Sequence, residues 1–310
     1  MYVTDMKEYP MTFDEFITRF STEEQCRDYL FHIRFQNGFC CPHCNGDKSW
    51  KINDTLYECT ECGRQTSITA GTIFHDTRKT LRTWFIALWW IATQKNGASK
   101  KGLQLVLGLK SYQTAWTWLH KIRVAMVNPN RKRLSGTVEV DETYVGGKIS
   151  GKQGRGSENK VLVGVAVEYD GRKLGRCRMS ILKDASSDSL HSFIIENIEE
   201  GSYLLTNGWR GYNGIEKKDY LREIYTQNGE TNDENLLPHI HTIVSLLKRW
   251  LLGTHQGAVE EKHLQSYLDE YVFRFNRRKS ASRGLLFYRL LESAMQSKTI
   301  TYDQLVNRNI

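Results

Sequence analysis

Residues 137–148 read T-V-E-V-D-E-T-Y-V-G-G-K, a strand pattern that carries carboxylates. Val138 and Val140 alternate with Glu139 and Asp141, which is the period of a half-buried strand. The valines go to one face; Glu139, Asp141 and Thr143 go to the other. Gly146-Gly147 then ends the strand in a turn. On this stretch alone two readings stand: the exposed polar face of an edge strand, or a carboxylate fixed on rigid backbone for chemistry.

Downstream, Lys160–Tyr169 (K-V-L-V-G-V-A-V-E-Y) is a nearly continuous apolar strand, Asp170-Gly171 a turn and Gly175–Leu182 a third strand, a three-stranded meander. A helix is expected over Ser186–Glu200, with Leu190, Phe193, Ile194 and Ile198 inward. A short strand follows over Ser202–Thr206 and ends in T-N-G-W-R-G-Y; a further strand fits Glu223–Thr226 and a helix fits Pro238–Leu252. This β-β-β-α-β-β-α order, with room for a short helix before the fifth strand, predicts a ribonuclease-H-like α/β layer with helices on both faces. In such a sheet the first and fourth strands are neighbours, so Asp141 should meet Asn207, the residue after Thr206. On the next helix His241, Ser245 and Lys248 are spaced i, i+4, i+7 and share one face. A long helix from Glu260 to Arg278 ends in a cluster of Arg274, Arg277, Arg278 and Lys279.

Upstream, Thr12-x-x-Glu15 and Ser21-x-x-Glu24 read as capping boxes of two short helices ahead of Phe35. C-P-H-C at Cys41–Cys44 and C-T-E-C at Cys59–Cys62 follow, on strand-like segments. Four thiolates at this spacing close a tetrahedral structural zinc site, and a redox pair is the alternative. So short and polar a segment depends on its metal to fold. Cys40 falls outside the C-x-x-C register, and His43 is a solvent-facing bystander. Beyond the ribbon, G-T-I-F-H leads to a helix from Thr80 to about Gln94; Ser99 and Ser111 cap two more across Gly108-Leu109-Lys110. These read as a helix-turn-helix or as an ordinary helical hairpin. In the first reading the second helix offers Tyr112, Gln113, Thr114, Thr117, His120, Lys121 and Arg123 to DNA. Residues 128–133 (N-P-N-R-K-R) read as a linker.

Lys plus Arg total 43 against 35 Asp plus Glu, a formal charge of +8 over 310 residues. That excess points to an anionic partner, nucleic acid first, with a solvated basic surface as the alternative. Lys148, Lys152 and Arg155 lie in a glycine-rich loop directly after the Asp141 strand, a candidate to order on DNA. No apolar run is long enough for a membrane span and the N-terminus has no apolar signal core. A cytosolic protein is expected, and the paired cysteines suit a reducing compartment.

The ordered motifs resemble the IS1595-family insertion-sequence transposases, which have an ISXO2-like catalytic domain. The likeness rests on the two cysteine pairs, G-T-I-F-H followed by L-R-T-W-F, V-E-V-D-E-T-Y-V-G-G-K, T-N-G-W-R-G-Y, and H-I-H-T-I-V-S-L-L-K-R-W-L-L-G-T-H-Q-G-A-V, and covers nearly the whole chain. It implies a DD(E/N/H)K site in which two Mg²⁺ or Mn²⁺ ions about 3.5–4 Å apart drive DNA cleavage and strand transfer. Carried over by position, Asp141 is the first acid and bridging ligand, Asn207 holds the place of the second, His241 the third, and Lys248 is the trailing lysine on a DNA phosphate. The family has Asp where this chain has Asn207. One neutral amide oxygen in place of a carboxylate implies weak metal occupancy and impaired cleavage. The alternative is an inactive, transposase-derived DNA-binding protein. The resemblance also implies binding to transposon-end and target double-stranded DNA, a homodimer, and a cytoplasmic protein at the bacterial nucleoid when DNA-bound. The expected organisation is α+β and multidomain: N-terminal helices over 1–36, a zinc ribbon over 37–70, a helix-turn-helix-like module over 71–134, the ribonuclease-H-like domain over 135–296 and a tail over 297–310.

Overall fold

The computed structural model describes residues 9–36, 38–128, 130–146, 160–171, 173–225, 237–255 and 259–306. It divides into two units, one of Met1–Pro129 with Lys279–Arg308 and one built on Asn130–Arg278.

In the first unit α1 (Phe13–Arg19) starts at Thr12, whose hydroxyl accepts the Glu15 N–H at 3.1 Å. The capping box of α2 (Glu23–Arg34) is Thr22 with Gln25, one residue on from the expected Ser21 and Glu24. Ser21 instead gives its hydroxyl to Gln25 Oε1 at 2.9 Å. Three short antiparallel strands follow, β1 (Ser49–Lys51), β2 (Leu56–Cys59) and β3 (Gln65–Ser67), in that spatial order. Helix α3 (Leu81–Thr93) is capped by Thr80, α4 (Lys100–Val106) by Ser99 and α5 (Tyr112–Ala125) by Ser111. Gly108 turns the chain between α4 and α5 at φ 59°, a left-handed conformation that glycine adopts without steric cost.

In the second unit the strands are β4 (Thr137–Val145), β5 (Val161–Asp170), β6 (Lys173–Ile181), β7 (Tyr203–Thr206) and β8 (Leu221–Ile224), in the sheet order β6-β5-β4-β7-β8. β4, β5 and β6 form the antiparallel meander, while β7 pairs parallel to β4 and β8 parallel to β7. Helix α6 (Ser187–Asn197) connects β6 to β7, and two 3₁₀ turns, Arg210–Tyr212 and Ile215–Lys218, precede β8; α7 (Pro238–His255) and α8 (Glu261–Asn276) follow it. β4 is therefore a central strand, which removes the edge-strand reading of 137–148. Val138 and Val140 pack with Leu190, Phe193 and Ile194 of α6 on one face. Val145, Val163, Val165 and Leu205 pack with Ile240, Ile243 and Leu247 of α7 and Leu268 of α8 on the other.

The chain then returns to the first unit. Helix α9 (Arg283–Gln296) packs against α3, α5 and α2, and α10 (Tyr302–Val306) against α5. Phe287 is fully buried, with ring centroids 5.4 Å from Phe16, 5.8 Å from Phe20, 5.7 Å from Phe85 and 5.7 Å from Trp89. The expected domain end at 296 is corrected by this packing, since α9 completes the aromatic core of the N-terminal unit.

Candidate active site and zinc centre

Parallel pairing of β4 with β7 sets Val140 opposite Thr206, so the next residue of each strand emerges at one point of the sheet. There the Asn207 amide Nδ2–H donates to Asp141 Oδ1 at 2.8 Å, and the same oxygen accepts the Glu142 N–H at 2.9 Å. The other end of the Asn207 amide is engaged as well: Oδ1 accepts the Trp209 N–H at 2.9 Å. This second bond sets the amide orientation, since the oxygen faces a donor and the nitrogen faces a carboxylate. Asp141 pairs across the sheet with Val165, which places it on the α7 side.

The surroundings brace this end of the sheet. Arg222 of β8, with a side chain only 2 % exposed, donates from Nε to Thr206 Oγ1 at 2.8 Å and from Nη2 to the Asn207 carbonyl at 3.4 Å. Tyr212 donates its hydroxyl to Glu142 Oε2 at 2.7 Å; burial, then the Glu142 and Asp141 carboxylates, push its phenol well above the usual range. The Trp209 indole donates to the Ala185 carbonyl at 2.8 Å. A Cβ at Gly211 would stand 2.6 Å from that same oxygen, so the second glycine of T-N-G-W-R-G-Y lets the indole seat.

His241 and Lys248 lie with Ser245 on an exposed face of α7. The helix is docked by a contact that sequence reasoning missed. Glu139, buried on β4 two residues before Asp141, accepts the N–H groups of His239 at 3.1 Å and Ile240 at 2.9 Å, the first-turn donors of α7. Its other oxygen meets His239 Nδ1 at 2.6 Å, and the imidazole stacks on Tyr169 with ring centroids 4.4 Å apart. The one signal in the sequence was a carboxylate on a strand of a sheet expected to carry helices on both faces, where a charge needs a partner. Glu139→Ala leaves these helix donors unmatched and is expected to cost about 2–4 kcal/mol in chemical denaturation. Glu139→Gln, which keeps an acceptor, should cost less; a loss below about 0.5 kcal/mol for the alanine variant would dismiss the docking role.

Of the residues read as DNA-facing, Gln113 is exposed, while Thr114, Thr117 and Lys121 are half-buried. Thr117 returns its hydroxyl to the Gln113 carbonyl at 2.9 Å, and burial lowers the Lys121 amine. His120 and Arg123 are 1 % and 2 % exposed, which corrects their assignment to a solvent-facing recognition surface: they lie on the inward side of α5. Lys148, Lys152 and Arg155 lie outside the described residues.

The four cysteines Cys41, Cys44, Cys59 and Cys62 converge with all sulfurs within 4.8 Å of one another. Cys41 and Cys62 Sγ are 3.7 Å apart, and Cys44 and Cys59 Sγ 3.5 Å apart. Tetrahedral thiolates about 2.3 Å from zinc would stand about 3.8 Å apart, so the cluster fits a structural zinc ion. The backbone N–H of His43 is the strongest influence on Cys41 and lowers its thiol, while Cys44, despite the Gly46 backbone N–H, is raised by hydrogen bonding to the neighbouring sulfurs, as expected of thiols crowded together. Cys40 is exposed outside the cluster; the buried thiols of Cys26 and Cys177 are pushed up to about 12, chiefly by burial.

Residues 133–276 match the ISXO2-like transposase domain, and residues 21–65 match the transposase zinc-ribbon domain. A protein of Halobacterium salinarum described as an uncharacterized protein in transposable element ISH50 is 26 % identical over 281 residues, covering 83 % of this chain and 92 % of the relative. Ribbon, mixed sheet and these likenesses define the class as a transposase. Both matched models describe domains of IS1595-type insertion-sequence transposases, and this chain is similar to that family over residues 21–65 and 133–276. Among the described residues no helix is long and apolar enough to cross a membrane.

Proposed function

We propose that this chain is a DDE-type DNA transposase that binds terminal inverted repeats and acts in DNA cleavage and strand transfer, impaired at the second acidic position. The observation that carries the reading is the pairing of Asp141 with Asn207 at 2.8 Å across the ends of neighbouring parallel strands. The strand order and crossings support a ribonuclease-H-like catalytic layer. In this reading Asp141 is the first acid, His241 the third position, and Lys248 holds a DNA phosphate from the exposed face of α7. Glu139 keeps that helix on the Asp141 strand. α4 and α5 form a helix-turn-helix-like reader with the exposed Gln113 at its entry, and the protein works as a homodimer on two DNA ends in the cytoplasm.

A pair of divalent cations would supply charge neutralisation of attacking and leaving oxygens. The residues as they stand fit such a pair poorly. The Asn207 amide gives its nitrogen to Asp141 and its oxygen to Trp209, so a neutral, already engaged group sits where a carboxylate would hold a hard cation more strongly. The same observation favours the second reading, a transposase-derived protein that binds transposon ends without cutting them. A cleavage assay on labelled end DNA, run on the parent chain and on Asn207→Asp, separates the two. End binding with no cleavage in either protein would leave the binding reading alone.

Replacing Lys148, Lys152 and Arg155 together by Ala should flatten the salt dependence of end binding by up to about 0.9 in log–log slope for each phosphate no longer neutralised. Arg123→Ala, which alters a buried side chain, should leave that slope unchanged and lower the melting temperature. An unchanged slope in the triple variant would dismiss the loop as a DNA-binding segment.

A further inference from the structure

The two strands that meet at Asp141 and Asn207 each run on to deliver an aromatic ring to one cleft. Tyr144 lies three residues beyond Asp141 and Trp209 two beyond Asn207, and both line a cavity of about 600 Å³ shared with Lys160, Lys183 and Asp184. Tyr144 and Trp209 are half-buried, so part of each ring is offered to the cavity, and Lys183 is exposed at its rim. The indole is held in place by its bond to the Ala185 carbonyl. Glu261 also lines the cleft and is exposed. Asp184 is committed to the start of α6, accepting the Ser186 N–H at 3.0 Å and the Ser189 hydroxyl at 2.8 Å. These bonds, the Ser186 ones foremost, hold its carboxyl down at about 2.

We infer that this cleft takes a single unpaired nucleotide of the DNA end, its base against Tyr144 and Trp209 and its phosphate on Lys160 and Lys183. The inference rests on reading the Asp141–Asn207 pair as the place where a DNA end is held. Aromatic faces stack any base without reading sequence, and an ammonium beside them neutralises the phosphate. Its size and its mixed lining, apolar walls from Val161, Leu162 and Leu182 with cations at the edge, suit a nucleoside monophosphate unit. A duplex cannot enter; a frayed or overhanging end can. Glu261 offers an acceptor to an exocyclic amine, which favours a base that carries one.

The test uses the full, unsubstituted chain and two forms of the element's end duplex, one blunt and one with a short single-stranded overhang bearing 2-aminopurine. Binding of the overhang form should quench the 2-aminopurine fluorescence, as stacking on an aromatic ring does, and should be tighter than binding of the blunt form. Tyr144→Ala should abolish the quench and weaken overhang binding roughly tenfold, with blunt binding unchanged. Lys183→Ala alters an exposed side chain and guards against a folding defect in the tyrosine variant. It should weaken overhang binding roughly threefold or more and flatten its salt dependence. Blunt binding without a quench, or a quench unaltered in both variants, would overturn the pocket while leaving the transposase reading intact. Failure to bind either duplex would overturn both.

Discussion

Asn207→Asp is expected to raise cleavage of transposon-end DNA by on the order of 10²–10³-fold in Mg²⁺ or Mn²⁺, the scale of restoring one charged group to a phosphoryl-transfer centre. The amide nitrogen now stands 2.8 Å from Asp141 Oδ1 and donates a hydrogen bond to that oxygen. A carboxylate in its place would put two anions side by side, an arrangement that repels unless a proton or a cation lies between them. The substituted protein should therefore melt lower than the parent in metal-free buffer at neutral pH, and added Mn²⁺ should restore the loss. The parent should show little response to the same addition. In the proposed site, with the His241 imidazole as third ligand, Mn²⁺ should serve at least as well as Mg²⁺. No gain in nicking or strand transfer, with no metal-dependent rise in melting temperature, would remove Asn207 from the site.

Much of the topology of the five-stranded sheet was legible because period-2 alternation and turn residues survive in a single sequence. That the first and fourth strands are neighbours followed from element order, and with it the meeting of Asp141 and Asn207, 66 residues apart. What escaped was everything decided by a distant partner. Glu139 reads as a polar strand residue until α7 arrives, 100 residues on, to bring it two backbone donors. Sequence spacing singles out His241, whereas it is His239 that meets Glu139 and stacks on Tyr169. His120 and Arg123 looked like a recognition face because helical spacing gives a face without saying which side is covered; α9 and α10 both pack on α5. The docking of Phe287 among N-terminal aromatics is likewise a tertiary fact, for no local pattern tells a closing helix which core it completes. The one-residue shift of the α2 cap has a local cause, since Thr22-x-x-Gln25 offers the same box chemistry as Ser21-x-x-Glu24.

Removing the zinc should unfold the ribbon, and Cys44→Ser should do so nearly as completely. The strands β1, β2 and β3 have 3, 4 and 3 residues. Their buried apolar cluster is Phe39 with Cys41 and Cys59, supported by Phe35 and Tyr57, so two members of the small core are themselves ligands. Apolar burial on that scale cannot offset the backbone entropy of ordering some thirty residues at about 1–2 kcal/mol each. Metal binding, on the order of 10–16 kcal/mol in comparable peptides, can. The consequence spreads to α2, because Arg34 threads its guanidinium into the carbonyls of Ser67, Ile68 and Ala70 at 3.2, 2.5 and 2.8 Å. Once the ribbon opens, that half-buried cation loses its acceptors and the C-terminal end of α2 should loosen with it. The measurement is zinc content by mass spectrometry beside amide hydrogen exchange over 31–70, in the native chain, after chelation, and in Cys44→Ser. One zinc per chain and strong protection are expected in the native chain, with both lost in the other two. Cys40→Ser should retain both, because Cys40 is exposed and outside the cluster. Full protection in Cys44→Ser would mean that the ribbon folds on its own small core, and the four-thiolate account of its stability would fall.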